Sequence, residues 1–418
     1  CRIHTCFLPR SPEVDMAMAK TDIANPQTFR DDGYVIVRNA IPRSQLDELR
    51  SYAELFLARA EEHSRGDPNI GWDTHRIPHP GLYEFVDDRT SRLYEPLLSD
   101  HLLAINRKLM RSSAVGLNSA TLFKQPKHKL DYRFQWHRDG VLKPSAPLPM
   151  LGLQADHQAN ACGTITWNIP LFEDHSLWIV PGSNCRPNNK EEQALFDRPG
   201  MQSDSPLPGA IVCELGSGDA VAFDATMVHS GSADADMHRR TFNLNYRSFG
   251  GPVLPYGRVT TWKPDLCNRL PDAMAKYFVE CESRIADEWL AIETVLRAII
   301  AGDRTHFCEA LARLHPGMEM QMACVVQIHR HAHALWVLSE LDGGKRVSDA
   351  DYQAATLDHP SNRWRTEDLF SRFESADTAM LKQRFAPLDR ALRTGLNGAY
   401  DEVYMPREFA VEEFVGSW

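Results

Sequence analysis

The sequence has few of the features that mark a disulfide-stabilised, membrane-spanning or nucleic-acid-binding protein. Its nine cysteines include no Cys-x-x-Cys pair, and an odd, unpatterned set of cysteines is typical of free thiols in a reducing compartment. No apolar run approaches the length that a membrane-spanning helix needs. The formal net charge is -10, whereas a nucleic-acid-binding surface would need clustered Lys and Arg. We therefore expect a cytoplasmic protein that binds neither nucleic acid nor membrane.

What is present instead is the composition of an ordinary globular chain, with 43% hydrophobic and 24% charged residues over 418 positions. That length exceeds what one domain usually needs, so it predicts a core domain with an additional module. Changes in the pattern of apolar, Gly and Pro residues divide the sequence into three segments. We expect residues 1–27 to be a disordered or upstream extension, 28–262 to be the core domain, and 263–418 to be a helical C-terminal region packed on that core.

The core segment combines a few early helices with many short strands. A β-branched run at Gly33–Val37 predicts a strand. Ser44, followed by acidic residues, predicts the N-cap of a helix that runs to about residue 63, and another helix is predicted around residues 97–110. From about residue 115 to 250, short β-rich runs are interrupted by Gly and Pro, which favours an antiparallel barrel or jelly roll.

After about residue 265 the apolar pattern becomes helical. Five apolar residues fall on one helix face at spacings of four and three, namely Ile285, Trp289, Ile292, Leu296 and Ile299. Gly302 follows as a stop signal, and further helices are predicted over 318–341 and 365–393. So apolar a stripe must pack on the barrel, on other helices or on a second chain, and a homodimer through these helices is one of the expected arrangements.

A pair of residues with metal-binding potential lies in the middle of the barrel region. Residues two apart on a strand point to the same side, so His137 and Asp139 can reach one metal ion. A His-x-Asp triplet alone is weak evidence, since about one is expected by chance from average composition, and its plain alternative is a surface strand or turn. His229, which follows a turn and a strand far along the chain, completes a set of two histidines and one carboxylate. That set is typical of non-haem iron(II) oxygenases.

Arg240 lies eleven residues after His229 and opens the alternating run Thr241–Tyr246. A guanidinium is a fixed fork that binds a carboxylate through two hydrogen bonds. Arg240 is therefore a candidate for binding an acidic co-substrate, and the alternative is an ordinary surface arginine.

The order and spacing of several short motifs make the chain resemble the phytanoyl-CoA dioxygenase family of 2-oxoglutarate-dependent oxygenases. The resemblance covers roughly residues 28–250 and is carried by Asp32–Val37, Trp136–Asp139, Leu177–Asn184, Gly218–Val221, His229–Gly231 and Arg240. It implies a double-stranded β-helix core, which is a jelly roll of the cupin-like kind. With its flanking α-helices and the helical C-terminal extension predicted above, the expected fold class is α+β. This agrees with the barrel indicated by the strand spacing.

The resemblance implies that His137, Asp139 and His229 hold iron(II), with 2-oxoglutarate and dioxygen as co-substrates. The expected activity is hydroxylation of an unactivated C–H bond of a small-molecule substrate, with release of succinate and carbon dioxide. Family members that halogenate carry a small residue in place of the carboxylate ligand, so Asp139 favours hydroxylation. Two alternatives stay open. One is desaturation, epimerisation or rearrangement with the same cofactors, and the other is a non-catalytic metal-binding barrel whose helical module binds proteins.

The resemblance also implies contacts with 2-oxoglutarate and with the substrate. Arg240 matches the residue that binds the distal carboxylate of 2-oxoglutarate, while Arg239 would point to the opposite face of the strand. Gln125, with Lys124 as the alternate, is the candidate for a second contact, although either could be a solvent-facing strand residue. Trp167 is expected to line the substrate pocket, and its alternative is a place in the barrel core.

Overall fold

Antiparallel strands form the centre of the fold. The computed structural model describes residues 25–67, 70, 72, 77–129, 133–139, 163–232, 236–249, 262, 264–314, 321–347, 363–394 and 410–418. Within these residues the strands are β1 (Tyr34–Val37), β2 (Val115–Lys124), β3 (Phe134–Gln135), β4 (Thr164–Pro170), β5 (Leu177–Ile179), β6 (Gln202–Ser203), β7 (Ile211–Val212), β8 (Ala220–Asp224), β9 (His229–Gly231) and β10 (Arg240–Ser248).

The strands form one large sheet and two small ones. The main sheet has five strands in the order β1-β8-β4-β10-β2, and the second sheet has three in the order β7-β5-β9. Strands β3 and β6 form a separate pair. All of these pairings are antiparallel. The predicted combination of helices with antiparallel sheet is confirmed.

Helices precede, flank and follow these strands. They are α1 (Pro26–Asp32), α2 (Leu46–Ser64), α3 (Leu82–Phe85), α4 (Tyr94–Leu97), α5 (Asp100–Leu109), α6 (Lys190–Phe196), α7 (Asp272–Ala301), α8 (Arg304–Leu314), α9 (Gln321–Asp342), α10 (Arg363–Phe370), α11 (Ser375–Thr394) and α12 (Val411–Gly416). Short 3-10 helices cover Arg43–Gln45, Ser91–Leu93, Ser183–Cys185, Pro199–Met201 and Pro264–Arg269. In the described part of the chain, no helix combines the length and the apolar character needed to cross a bilayer.

The first long helix begins later than the sequence predicts. Ser44 lies inside the 3-10 turn Arg43–Gln45, and α2 begins at Leu46 without a side-chain cap. The N-cap prediction for Ser44 is therefore wrong. The helix predicted over 365–393 is also divided, into α10 and α11.

The two faces of the main sheet have different compositions. Ile165, Trp167 and Ile169 of β4 are fully buried, and all three belong to an apolar cluster shared with side chains of α2, α5 and α7. Leu244 and Phe242 of β10 lie directly opposite two of them and belong to the same cluster. We call this helix-covered side the outer face. The residues between them point the other way, because side chains alternate along a strand.

The opposite side of the main sheet, here called the inner face, looks toward the second sheet. Val221 and Phe223 of β8 form an apolar cluster with Leu177 and Ile179 of β5. The inner face of β8 therefore packs against the second sheet, whose edge strand β9 carries His229.

Helix α7 carries the predicted apolar stripe and packs against the main sheet. The five stripe residues are buried, and they are Ile285, Trp289, Ile292, Leu296 and Ile299. Gly302 ends the helix at a φ of 68°, as predicted. The hydroxyl of Tyr277 accepts a hydrogen bond from the backbone N–H of Leu117 at 3.0 Å, and Arg247 of β10 pairs with Glu288 of α7 at 2.6 Å. Side chains of α7 and of the main sheet thus belong to one apolar cluster.

Replacing a residue of the stripe by a carboxylate should destabilise the whole protein. Trp289 is 8% exposed and its ring meets His331 edge-on at a centroid distance of 5.2 Å. Loss of a large buried aromatic and burial of a charge should lower the unfolding free energy of Trp289→Asp by about 3–5 kcal/mol in urea. Leu290→Asp is the matched control, since Leu290 is 59% exposed and should change stability by less than about 0.5 kcal/mol. Equal losses in both variants would contradict this packing.

Candidate metal centre

Two histidines from distant parts of the chain lie side by side at the edge of the second sheet. His137 follows β3, and His229 opens β9. Their backbones form an isolated antiparallel bridge, in which each N–H donates to the other residue's carbonyl at 3.0 Å. The two imidazole rings lie with their centroids 4.2 Å apart. The structure thus brings together the two histidines that the sequence pattern selects.

Each imidazole is oriented by a carbonyl of its own segment. Nδ1 of His137 lies 2.9 Å from the carbonyl oxygen of Gln135, and Nδ1 of His229 lies 3.0 Å from that of Met227. A carbonyl oxygen only accepts hydrogen bonds, so in the neutral rings both Nδ1 atoms carry the proton. Both Nε2 atoms then present a lone pair, as metal-binding histidines held by a carbonyl do.

Asp139 supplies the third group, and with the two histidines it forms what we call the metal triad. Its carboxylate oxygens lie 3.6 Å from Nε2 of His137 and 3.7 Å from Nε2 of His229. One potential ligand atom from each residue lies within 4.8 Å of the others. Two imidazoles and one carboxylate form the donor set of non-haem iron(II) sites and leave other coordination positions open. The triad therefore fits a divalent metal ion that the protein binds from one side.

Burial keeps His229 ready to bind a metal. The residue is 5% exposed. Its desolvation and the nearby His137 lower the pKa of His229 to about 4, although Asp139 acts in the opposite direction. Because a proton and a metal ion compete for the same imidazole nitrogen, His229 loses no proton when it binds a metal at neutral pH.

Arg138, next to His137, is a site residue that the sequence pattern does not reveal. It is 5% exposed, and its Nη1 donates to the carbonyl oxygens of Ser183 at 2.7 Å and Thr226 at 2.5 Å. These carbonyls belong to a 3-10 turn and to the loop that leads into His229. Arg138 thus ties the segments of the two histidines together. Its place next to a predicted ligand is the only signal of this in the sequence.

Arg240, the predicted 2-oxoglutarate residue, lies on the outer face with Phe242 and beneath helix α2. Its Nε and Nη2 donate to the two carboxylate oxygens of Glu54 at 2.6 and 3.0 Å. Its Nη1 donates to the side chain of Gln125 at 2.8 Å and to the carbonyl of Arg239 at 2.7 Å. All three guanidinium nitrogens therefore already have protein acceptors, and this arrangement gives no support to the role expected for Arg240.

Arg239 lies on the inner face, as the alternation along the strand requires. Its Nε donates to Asp174 at 3.1 Å, and its guanidinium lies over the ring of Phe123 at 5.0 Å. Among the residues that the structure describes, its two Nη atoms have no hydrogen-bond partner. Arg239 is therefore the arginine whose terminal fork can still bind a carboxylate on the inner side.

Asp174 holds that arginine in place. It is 5% exposed and accepts hydrogen bonds from the backbone N–H of Ser176 at 2.7 Å and from the hydroxyls of Ser176 and Thr241. Desolvation opposes ionisation, but the charge of Arg239 and these hydrogen bonds outweigh it and lower the pKa of Asp174. The pair between Asp174 and Arg239 is therefore ionised at neutral pH.

Gln125 and Lys124 lie at the end of β2 beside the two arginines. The side-chain oxygen of Gln125 accepts from Nη1 of Arg240 at 2.8 Å and from the backbone N–H of Arg239 at 3.3 Å. Lys124 is in register with Arg240, and its ammonium lies 3.8 Å from Glu61 of α2. Gln125 thus stays a candidate for a co-substrate contact, whereas Lys124 is directed toward the helix on the outer side.

Trp167 does not line an open pocket. Its side chain is fully buried on the outer face, and its indole N–H donates to the side chain of Asn106 at 3.0 Å. Trp167 therefore packs in the core under helix α5, and not in a substrate pocket as expected. The sequence could not decide between the two because Trp167 satisfies both patterns.

Comparison with known proteins identifies a family. The family model described as phytanoyl-CoA dioxygenase (PhyH) matches residues 29–241, slightly more than half of the 418 residues. No curated protein sequence matches the chain. We therefore rest family membership on the match to the family model.

Among solved structures, the chain is similar to several enzymes at low identity. The epimerase SnoN from nogalamycin biosynthesis is 20% identical with a TM-score of 0.38, over 54% of this chain and 80% of that one. EctD from S. alaskensis, solved with 2-oxoglutarate and 5-hydroxyectoine, is 17% identical with a TM-score of 0.39, over 55% and 78%. The carbocyclase SnoK is 19% identical with a TM-score of 0.39, over 56% and 86%.

The buried pair of Asp174 and Arg239 predicts a pH-dependent contribution to stability. Asp174→Asn leaves the arginine without its anion and should cost about 3 kcal/mol of unfolding free energy at pH 7. A carboxyl whose pKa is depressed by folding stabilises above its unfolded pKa and loses that effect as the pH falls through its folded pKa. The stability difference between the unmodified protein and the variant should therefore shrink below about pH 4, as measured by urea unfolding. The exposed Asp204 gives the control Asp204→Asn, and a difference for Asp174→Asn that is constant down to pH 3 would contradict the assignment.

Proposed function

The chain belongs to the phytanoyl-CoA dioxygenase family, and from that premise we propose that it oxidises a small organic molecule with iron(II) and 2-oxoglutarate. Iron(II), 2-oxoglutarate and dioxygen are the cofactor and co-substrates that this membership implies. The observation that carries the proposal is the metal triad, in which His137, Asp139 and His229 present three ligand atoms within 4.8 Å of one another.

In the proposed site the two Nε2 atoms and one oxygen of Asp139 hold the iron. The bound metal supplies the redox chemistry that oxidises a C–H bond while 2-oxoglutarate becomes succinate and carbon dioxide. The role of the protein is to hold the ligand side chains in position before the metal binds. The backbone bridge between His137 and His229 and the contacts of Arg138 fix the ligand-bearing segments, so little rearrangement is needed on binding.

We assign the distal carboxylate of 2-oxoglutarate to Arg239 rather than to Arg240. Arg239 lies on the inner face and uses only Nε for Asp174, which orients the guanidinium and leaves the terminal fork for a second carboxylate. Arg240 lies on the outer face with all three nitrogens engaged, two of them by Glu54. Gln125, which contacts both arginines, is the proposed neighbouring contact.

We propose a double-stranded β-helix for the core, over residues 28–262, with residues 263–418 packed on it as a helical layer. The double-stranded β-helix is supported by the packing of two sheets on each other, through the cluster that contains Val221, Phe223 and Ile179. The contacts of α7 with the main sheet support the helical layer. A sheet whose outer face is apolar needs such a cover.

Hydroxylation is the proposed outcome. Asp139 keeps a third protein ligand at the position that halogenating members of the family leave free for a halide. Desaturation, epimerisation and rearrangement use the same cofactors, and they differ from hydroxylation in the fate of the oxygen atoms.

The assignment of the two arginines is tested by paired substitutions. A lysine cannot reproduce the two-pronged contact of a guanidinium, so Arg239→Lys should raise the KM for 2-oxoglutarate by at least about tenfold without changing iron affinity. Arg240→Lys should leave that KM within about twofold, because it alters contacts with Glu54, Gln125 and the Arg239 carbonyl rather than a contact with 2-oxoglutarate. The reverse pattern would return the role to Arg240. The measurement is succinate formation at varied 2-oxoglutarate.

The reaction outcome is tested with isotopically labelled dioxygen. Hydroxylation should place one labelled oxygen atom in the product and one in succinate, and turnover should not depend on chloride. Mass spectrometry of both products makes the distinction. Labelled succinate with an unlabelled product would favour desaturation or epimerisation, and a protein that binds iron yet forms no succinate would be a non-catalytic barrel.

A further inference from the structure

The inner face of the main sheet is polar where β4 and β10 form it. Asn243 and Asn245 of β10 lie directly opposite Asn168 and Thr166 of β4. Thr166 and Asn168 are each 4% exposed, and the intervening residues on the outer face are all apolar. Burying polar groups costs free energy unless they find partners. A sheet face that served only for packing would therefore be apolar, as the inner face is at β8.

This polar surface lies on the metal side of the sheet. Thr166 is in register with Phe223, and directly opposed residues of antiparallel strands share a face. The ring of Phe223 lies 5.0 Å from the ring of His229 between centroids. One cross-strand row therefore runs from the metal triad through Phe223 and Thr166 to Asn245.

A β-bulge adds a further amide to this row. The register between β10 and β2 shifts between Asn245 and Tyr246, so Asn118 becomes an extra residue on β2. Its side chain is 1% exposed and donates to the side-chain oxygen of Asn245 at 3.2 Å. Bulges re-aim side chains and are frequent beside active sites. Here the bulge brings two neighbouring carboxamides together in the row that leads to the metal triad, and the amide nitrogen of Asn245 donates to the hydroxyl of Thr166 at 3.4 Å.

The adjacent pair of asparagines retains hydrogen-bonding capacity. Asn243 donates from Nδ2 to Oδ1 of Asn168 at 2.8 Å. One hydrogen bond between two carboxamides leaves one amide nitrogen and one amide oxygen available. This holds whichever of the two asparagines is the donor. Among the described residues neither of these two atoms has another partner. A ligand that brings both a donor and an acceptor would satisfy them.

We propose that this polar surface binds the substrate, and that the substrate is a compact molecule with several hydroxyl or amide groups rather than a fatty-acyl thioester. The proposal rests on the oxygenase function proposed above. Arg239 lies beyond Thr241, at the far end of β10 from Asn245, so 2-oxoglutarate held there would cover only part of the surface. Asn168 and Asn243 would then offer the available donor and acceptor to the substrate. Thr166, Asn245 and Asn118, which bond to one another, would hold the neighbouring row in place.

The test uses the full chain loaded with zinc in place of iron, together with 2-oxoglutarate, so that binding is measured without turnover. Calorimetric titration compares two panels of probes. One contains monosaccharides, nucleosides and cyclic amides, and the other contains saturated fatty acids and their coenzyme A thioesters. Iron-dependent succinate formation by the unmodified protein is measured in parallel, because its absence would count against the proposed function rather than against the substrate class.

At least one probe of the polar panel should bind and stimulate succinate formation. Thr166→Val and Asn245→Leu should each weaken that binding by about tenfold, since each breaks the hydrogen bond between these two side chains and leaves the other one unsatisfied beside the substrate. Thr166→Ser, which keeps the hydroxyl, should restore it, and Thr294→Val on the exposed side of α7 is the matched control without effect. Binding by the acyl panel alone would overturn the proposal, and so would binding by neither panel in a protein that turns over 2-oxoglutarate.

Discussion

The antiparallel bridge between His137 and His229 is the contact on which the site depends. It consists of two backbone hydrogen bonds at the end of β3, which has two residues, and at the start of β9, which has three. Strands this short hold their position weakly by themselves. The bridge is secured by side chains instead, with Arg138 bound to two carbonyls of the turn and loop before His229. The hydroxyl of Ser183, in the same turn, accepts a hydrogen bond from the backbone N–H of Val228 at 2.8 Å. The positions of the two histidines are therefore fixed by side chains outside the metal triad.

The two faces of the main sheet have different roles, since the outer face stabilises the fold and the inner face carries polar side chains. The outer face carries aliphatic and aromatic residues under helices α2, α5 and α7, and its burial supplies much of the hydrophobic stabilisation. The inner face can then carry threonine, asparagine and arginine at positions that a packed core would fill with apolar groups. Because side chains alternate along β10, adjacent residues serve opposite purposes. Arg240 joins helix α2 to the sheet through Glu54, and Arg239 faces the side of the metal triad.

Much of this arrangement could be predicted from the sequence, for identifiable physical reasons. The i, i+2 spacing of His137 and Asp139 places both on one side of an extended segment, and the apolar spacing on α7 fixes its buried face. The faces of Arg239 and Arg240 are harder to predict. A shift of one residue in the register of β10 would exchange the sides on which these two adjacent arginines lie. The alternation from Phe242 onward places Arg240 on the apolar side of the strand. The roles of Arg138 and Asp174 could not be predicted from the sequence, because they depend on which loops fold against these side chains.

The central claim is that the metal triad binds one iron(II) ion per chain, and anaerobic titration with iron(II) tests it most directly. The unmodified protein should bind about one ion, and His137→Ala should lose tight binding, since one of three protein ligands is removed. His101→Ala, at an exposed position on α5, should bind as the unmodified protein does. Unchanged stoichiometry and affinity in a folded His137→Ala protein would contradict the account.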